Sequence, residues 1–177
     1  NVFFAIVPDK GYYLAEEAGA LAPNYEKLFS MLEDRFDWAE FIDLTETLSA
    51  DSYYRTDTHW RQEELLLAAK ALGNAMGVPV RTEYEIEKVW WDFKGVYYGQ
   101  AALPLKGEEL NWLTWPGMED VHVYSHDSGT EVPLYNKDKL LSRDPYESYL
   151  SGNMALLTVT NPNAQTDERL VVFRDSF

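Results

Sequence analysis

YRTDTHWRQEELLLAAKALGNAM, residues 54 to 76, joins the most distinctive polar motif of the chain to its clearest helix. Apolar residues recur at helical spacing between Trp60 and Met76, so this segment is predicted to be an amphipathic helix. Asp57 or Thr58 is placed to cap its start, and Gly77 is placed to end it. The residues of its inward face are Leu65, Leu66, Ala69, Leu72 and Met76.

Towards the N-terminus, helical and extended patterns alternate. The apolar run Val2 to Val7 predicts a buried strand followed by a loop. Pro23 to Phe36 has helical spacing of its apolar residues, and Phe41 to Leu44 predicts a second strand. Thr45 to Ser49 is expected to form a helical turn.

Towards the C-terminus, extended patterns dominate. Four segments predict strands: Glu85 to Trp91, Met154 to Thr160, and a hairpin of Val121 to Tyr124 with Glu131 to Tyr135. The apolar run Leu170 to Phe173 predicts a final buried strand in the same sheet as Val2 to Val7. We therefore expect one α/β domain over residues 1–177, with an antiparallel, β-rich insertion.

Composition and charge exclude several classes of protein. The chain has 177 residues, 46% of them hydrophobic, which is typical of a globular domain and not of a disordered one. Its formal net charge of −15 repels phosphate, so we expect neither nucleic acid nor an anionic membrane surface as a partner. No apolar run is long enough to span a bilayer. The sequence does not indicate an oligomeric state.

The chain contains no cysteine, which excludes disulfides, thiolate metal sites and cysteine nucleophiles. This fits an exported protein. Because the chain opens almost directly into a strand, we expect a removed leader or anchor and an extracytoplasmic location.

The first candidate for chemistry is the pair Asp57 and His59. An aspartate two residues before a histidine can hold the Nδ1 proton of the imidazole and leave Nε2 as a general base. The same pattern also arises from an N-cap aspartate followed by a surface histidine.

The second candidate is Ser176, which follows the apolar run and Asp175 at the end of the chain. A strand ending in Asp-Ser is where an α/β fold presents a nucleophile at the carboxyl edge of its sheet. Serine needs an adjacent base to act as a nucleophile. The alternative interpretation of Asp175-Ser176 is an ordinary polar turn after a strand, which has the same sequence pattern.

Taken together, Asp57-Thr58-His59-Trp60 and the distant Asp175-Ser176-Phe177 resemble the alginate O-acetylation proteins and the bacterial DHHW family. Both groups resemble the SGNH hydrolase superfamily. Three further stretches support the resemblance: Val7 to Lys10, Asp144 to Asn153 and Thr160 to Asn163.

The resemblance implies an SGNH-hydrolase-like three-layer α/β/α domain with a catalytic triad. Ser176 would be the nucleophile, His59 the general base and Asp57 its orienting carboxylate. It implies a serine esterase or O-acetyltransferase acting on cell-surface or extracellular polysaccharide, with a polysaccharide or acetyl ester as substrate. The alternative is a non-catalytic polysaccharide-binding or assembly protein with a vestigial triad.

The sequence departs from the family pattern in several places. Thr58 replaces the first histidine of the DHHW motif, and Arg174 stands where ordinary SGNH hydrolases have glycine. A helix is expected after a nucleophile strand, so we expect the domain to continue beyond Phe177. Candidate substrate-binding residues are Arg55, which lies two residues before the motif, Trp60, which ends it, and Asn153.

Two further groups of side chains have the chemistry to bind a ligand. His122, His126 and Asp127 could contribute to a metal site. However, His122 and His126 are four residues apart, a spacing that suits a helix, whereas Val121 to Tyr124 predicts a strand. We therefore predict no metal site and, without a glycine-rich phosphate loop, no cofactor. Four tryptophans could form a sugar-stacking platform or pack in the core: Trp90, Trp91, Trp112 and Trp115.

Overall fold

The computed structural model describes residues 1–102 and 104–175. The chain forms two compact units, Asn1–Thr82 (the first unit) and Glu83–Phe177 (the second unit). The single domain expected over residues 1–177 stays a prediction. Within the described ranges, no helix is both long and apolar enough to cross a membrane.

The first unit contains a parallel two-stranded sheet. Strand β1 (Phe3–Ile6) pairs with β2 (Glu40–Asp43) in the register Phe3 opposite Glu40. Helices α1 (Lys10–Leu14) and α2 (Tyr25–Arg35) form the crossover between them. Both predicted strands and the predicted helix at residues 23–36 are thus confirmed within one to two residues at each end. The predicted burial of the first strand is wrong, because every residue of β1 is half-buried or exposed.

Side chains cap both crossover helices. Asp9 accepts a hydrogen bond from the Gly11 amide at the start of α1, and Asn24 accepts one from the Lys27 amide at the start of α2. The loop predicted after Val7 is wrong, since helix α1 begins at Lys10. Five residues are too few for a helical period of apolar side chains to be visible in the sequence.

Helix α3 (Leu66–Met76) is shorter than the helix predicted from Trp60. The backbone of Trp60 instead forms an antiparallel bridge with Tyr53, and a 3₁₀ turn (Gln62–Glu64) precedes the helix. Neither Asp57 nor Thr58 caps α3, because the helix begins after Leu65 without a side-chain cap. The helix ends as predicted at Gly77, whose φ of 70° is left-handed.

A 3₁₀ turn (Thr45–Thr47) follows β2 and confirms the helical turn expected there. The core of the first unit lies along β2, the segment after it and α3. Its buried apolar side chains are Ala15, Ile42, Leu44, Leu48, Tyr53, Tyr54 and Ala68.

The strands of the second unit pair in antiparallel fashion and form two small sheets. β3 (Glu85–Phe93) pairs with β4 (Glu108–Thr114), and the short helix α4 (Val96–Ala101) lies between them in sequence. A three-stranded sheet has the order β6-β5-β7, in which β5 (His122–Ser125) is central. Its edge strands are β6 (Thr130–Val132) and β7 (Leu157–Thr160).

The predicted hairpin, the strand near residue 157 and the strand from Glu85 are confirmed. Strand β4 and helix α4 were not predicted, because the aromatic-rich segment around them lacks clear periodicity. The core of this unit includes Phe93, Leu110, Trp112 and Val123.

The predicted final strand Leu170 to Phe173 is wrong for the described residues. This segment has no strand structure, and its side chains are exposed, with Phe173 96% accessible. Strand propensity reflects packing against neighbours more than an intrinsic backbone preference, so an apolar run alone does not form a strand. The expectation that this run lies in the same sheet as Val2 to Val7 is therefore wrong as well, because the sheet of the described residues that contains β1 has only β1 and β2.

Candidate active site

The Asp-Thr-His motif lies on a tight loop at the end of a short antiparallel ladder in the first unit. Tyr53 and Trp60 form a β-bridge, and the Tyr54 amide donates a hydrogen bond to the His59 carbonyl at 3.1 Å. One residue further out, the Arg61 amide donates to the Ser52 carbonyl at 2.8 Å. The loop of residues 54–59 is therefore closed at its base by backbone hydrogen bonds.

Within this loop, the Asp57 carboxylate accepts two hydrogen bonds from His59. Asp57 Oδ1 lies 2.5 Å from His59 Nδ1 and also accepts the His59 amide at 3.0 Å. Aspartate commonly bonds the backbone two residues ahead, and here the same turn brings the imidazole to the same oxygen. With Nδ1–H donating to the carboxylate, the neutral imidazole carries its lone pair on Nε2.

Asp57 is buried, with 1% of its surface accessible. A buried carboxylate is stable only when it is hydrogen-bonded or paired. The two hydrogen bonds from His59 partly compensate the Asp57 carboxylate for its burial. The Thr58 hydroxyl also lies 3.4 Å from Asp57 Oδ1. The imidazole is mostly shielded as well, since its side chain is 13% accessible.

Lys10 supports the loop from the segment that follows β1. Its ammonium donates to the carbonyls of Tyr54 and Asp57, both at 2.6 Å. Residues that follow parallel strands meet at the carboxyl edge of their sheet, so the start of α1 and the motif loop after β2 are brought together there.

Lys10 belongs to the stretch Val7 to Lys10 that supports the family resemblance, but the sequence alone does not predict a role for it. The signal available in the sequence is a lysine directly after a strand–Pro–Asp turn.

Tyr53 anchors the base of the loop. Its hydroxyl donates a hydrogen bond to the Pro8 carbonyl, and its side chain is buried. Burial raises the pKa of Tyr53 above its ordinary value, so the hydroxyl stays protonated and remains a donor at neutral pH. Tyr54 and Thr56 are also fully buried, which leaves the loop little room to move.

Chemically, the arrangement is a carboxylate–imidazole pair on a fixed loop. The carboxylate sets the tautomer and orientation of the ring, and it stabilises the imidazolium that forms when Nε2 takes a proton. The predicted association of Asp57 with His59 is confirmed, whereas the alternative of a helix cap with a surface histidine is wrong.

The remaining predicted site residues are distributed along the chain. Ser176 lies outside the described residues. Arg55 is exposed on the motif loop, and Trp60 is half-buried at its base. Asn153 is exposed in the second unit, after the left-handed Gly152.

The histidines considered for a metal site contact other groups. His122 Nδ1 lies 3.5 Å from Glu131 Oε1, and His126 Nε2 lies 2.9 Å from the Thr158 hydroxyl. Asp127 accepts the Ala155 amide at 2.6 Å. Within residues 1–102 and 104–175, no group of three or more His, Asp or Glu side chains is arranged to hold a metal.

Comparison with solved structures finds a similar chain. It is the crystal structure of a DHHW family protein from Eubacterium siraeum DSM 15702, with a TM-score of 0.66 and 20% sequence identity. The match covers 93% of this chain and 59% of that one, so this chain spans about three fifths of the length of the protein it resembles.

No protein-family profile and no curated protein matches the sequence. The structural match alone shows that this mixed α/β fold with small sheets is similar to that of a DHHW family protein.

Proposed function

We propose that this chain is part of a serine esterase or O-acetyltransferase that acts on cell-surface or extracellular polysaccharide. The observation that carries the proposal is the buried Asp57 carboxylate bound to His59 Nδ1 on a loop closed by backbone hydrogen bonds. An ordinary surface histidine needs no such support. A general base does, because its ring must keep one tautomer and one orientation.

In the proposed mechanism, Ser176 supplies the nucleophile. His59 Nε2 takes the proton of the Ser176 hydroxyl as its oxygen attacks the acyl carbon, and Asp57 stabilises the resulting imidazolium. The imidazolium then returns the proton to the leaving alcohol, which leaves an acyl-enzyme. Water or a sugar hydroxyl attacks this ester next, with His59 again acting as base, and Ser176 is regenerated.

We further propose that the chain belongs to the DHHW family and is built as an SGNH-hydrolase-like three-layer domain. Support comes from the Asp-Thr-His-Trp motif on its loop and from the similarity to a DHHW family protein. The parallel crossover of β1 and β2 is the kind of unit from which a three-layer domain is built. An extracytoplasmic location follows from the proposed substrate.

The experiment is an acetyl-ester hydrolysis assay on the native protein that contains residues 1–177, with single substitutions in the proposed triad. Ser176→Ala and His59→Ala should each lower kcat by about 10³-fold or more, because members of a triad act as a unit. Asp57→Asn should lower kcat by a comparable or smaller factor, because it disturbs the tautomer without removing the base.

His122→Ala is the matched control, since this exposed histidine also lies near a carboxylate but belongs to the second unit. Its turnover should equal that of the wild type. Wild-type rates in Ser176→Ala would exclude this serine as the nucleophile. A wild-type protein that neither hydrolyses the ester nor reacts with a serine-directed probe would favour the non-catalytic alternative.

A further inference from the structure

Strand β7 forms an open edge of the three-stranded sheet in the second unit. It pairs with β5 on one side, and no other strand of the described residues pairs with it. Three of its four residues are exposed, and Val159 is 53% accessible. An edge of this kind presents backbone N–H and C=O groups to which another strand can be added.

Two other edge strands of the second unit carry features that oppose such pairing. β6 has Glu131 at its centre, and β3 contains Glu87 and Lys88 together with two shifts of register against β4. Charged side chains and bulges are common means of keeping an edge from pairing. β7 lacks them, because Leu157–Thr160 contains no charged residue and no proline and keeps a regular register with β5.

The ladder between β5 and β7 fixes which backbone groups of β7 face outward. The His126 amide donates to the Leu156 carbonyl at 3.0 Å, directly before β7. In an antiparallel ladder, hydrogen-bonded and non-hydrogen-bonded positions alternate, so every second residue from Leu156 onward directs its N–H and C=O towards β5. Leu157 and Val159 lie between these positions, and their N–H and C=O groups therefore face the open edge.

We infer that β7 is a docking edge for a second copy of this chain, which pairs antiparallel with it about a two-fold axis at Thr158. In this register, Leu157 lies opposite the partner's Val159, and Val159 lies opposite the partner's Leu157. Each of these pairs exchanges two N–H···O=C hydrogen bonds, so all outward backbone groups of both residues gain a partner. Such a two-fold interface is self-complementary, and it joins two three-stranded sheets into one of ordinary size.

Side chains favour this register on both faces of the sheet. Leu157 and Val159 point to the same face, where the pairing makes them aliphatic cross-strand neighbours. On the opposite face, the two Thr158 side chains meet at a non-hydrogen-bonded position, where cross-strand side chains lie closest, and Thr–Thr pairs are favourable. A shift of two residues would place Leu157 opposite the partner's Asn161 and remove the aliphatic pair.

Local charge allows two copies of an acidic chain to meet at this edge. The formal net charge is −15, and like charges directly opposite each other destabilise a strand pair. Residues 148–166 carry no charged side chain, so no such pair arises within β7 or its flanking segments.

The contact is small, since it involves about five residues of each copy, compared with the roughly 20–30 of a standard interface. We therefore expect a weak dimer with a Kd on the order of 10⁻⁴ M. This inference goes beyond the proposed catalysis and does not rest on it.

The test is sedimentation equilibrium of the native protein that contains residues 1–177, at concentrations from about 10 μM to about 1 mM, which bracket the expected Kd. We expect a monomer at the lowest concentration and a reversible dimer at the highest. A protein that remains monomeric at about 1 mM would overturn the inference. So would assembly beyond a dimer, because two-fold pairing of a single edge is closed.

Substitutions at Val159 test whether β7 is the edge that pairs. Val159→Pro removes an outward N–H without removing a hydrogen bond to β5, and Val159→Lys places a charge at the edge. Each should raise the Kd of the dimer by about tenfold or more. Val171→Pro and Val171→Lys are the matched controls and should dimerise as the wild type does, since Val171 is 77% accessible and lies outside any strand.

Circular dichroism verifies that each variant folds, and Val159→Lys carries the test if Val159→Pro does not. A folded Val159→Lys protein that dimerises as tightly as the wild type would contradict the inference.

Cysteine substitution tests the register, because residues 1–177 contain no cysteine. At a non-hydrogen-bonded antiparallel position the two Cα atoms lie about 4.5 Å apart, within the range of a disulfide. Thr158→Cys should therefore form a covalent dimer in oxidised glutathione, as seen by non-reducing electrophoresis. Thr160→Cys is the matched control and should not, because the two Thr160 positions lie about 13 Å apart along the paired strands.

Equal cross-linking of Thr158→Cys and Thr160→Cys would refute the register. Turnover of a small acetyl ester per chain should be the same for Val159→Lys and the wild type. Failure of the dimer and failure of the catalytic proposal are therefore separate results.

Discussion

Replacing Lys10 with methionine tests whether this lysine holds the motif loop. Methionine keeps most of the aliphatic stem and removes the ammonium that donates to the Tyr54 and Asp57 carbonyls. A hydrogen bond from a charged donor contributes about 1.5–3 kcal/mol. Because Lys10 is only half-buried, we expect a combined loss of about 2–3 kcal/mol in the free energy of unfolding.

For a chain of this size, that loss lowers the melting temperature by about 4–12 °C. The same substitution should lower ester turnover by about a hundredfold, because a displacement of about 1 Å at a catalytic group has an effect of that order. Thermal unfolding followed by circular dichroism measures the first effect, and steady-state hydrolysis measures the second.

Lys27→Met is the matched control, since Lys27 is an exposed lysine on α2 in the same unit. Its free energy of unfolding should stay within about 0.5 kcal/mol of the wild type. A Lys10→Met protein that melts with the wild type, or no lower than Lys27→Met, would refute the role assigned to Lys10.

Three further predictions concern the first unit. Gly77→Ala should destabilise the protein by about 1 kcal/mol through its left-handed φ of 70° alone, since no atom lies within 4 Å of the new methyl group. Gly73→Ala should cost more, about 2–3 kcal/mol, because its methyl group would lie 2.2 Å from Val80 Cγ2 and 2.8 Å from the Val78 carbonyl oxygen. Urea unfolding measures both, and equal losses would contradict the crowding at Gly73. Burial, together with nearby Tyr12, Asp43 and Glu46, raises the pKa of Tyr13 to about 12. Because an unfolded tyrosine ionises near pH 10, the folded state then holds the extra proton, and stability should fall as the pH rises from about 10 to about 12. Tyr13→Phe should flatten this fall in urea midpoints measured across that range, and an unchanged slope would show that Tyr13 does not contribute to it.

Much of the motif could be predicted from sequence because its geometry is local. Asp57 and His59 are two residues apart, and an aspartate reaches the backbone amide and side chain at that spacing without help from the rest of the fold. Helix α2, the end of α3 at Gly77 and the hairpin of β5 with β6 also depend on nearby residues. These elements were predicted correctly for that reason.

Other features depend on residues far apart in the chain, and pattern alone could not reveal them. Lys10 reaches carbonyls 44 and 47 residues away, which requires β1 and β2 to lie side by side. The stacking of Trp90 on Trp91 requires bulges that only pairing with β4 defines.

The sequence by itself therefore determined the Asp57–His59 pair and the elements that begin and end with local hydrogen bonds. The tertiary structure decided what supports that pair and which aromatic side chains face solvent. It also decided that Leu170 to Phe173, apolar throughout, is exposed and not part of a strand. The physical reason is that a turn or cap is completed by its own neighbours, whereas a strand or a supporting lysine needs a partner brought to it by packing elsewhere.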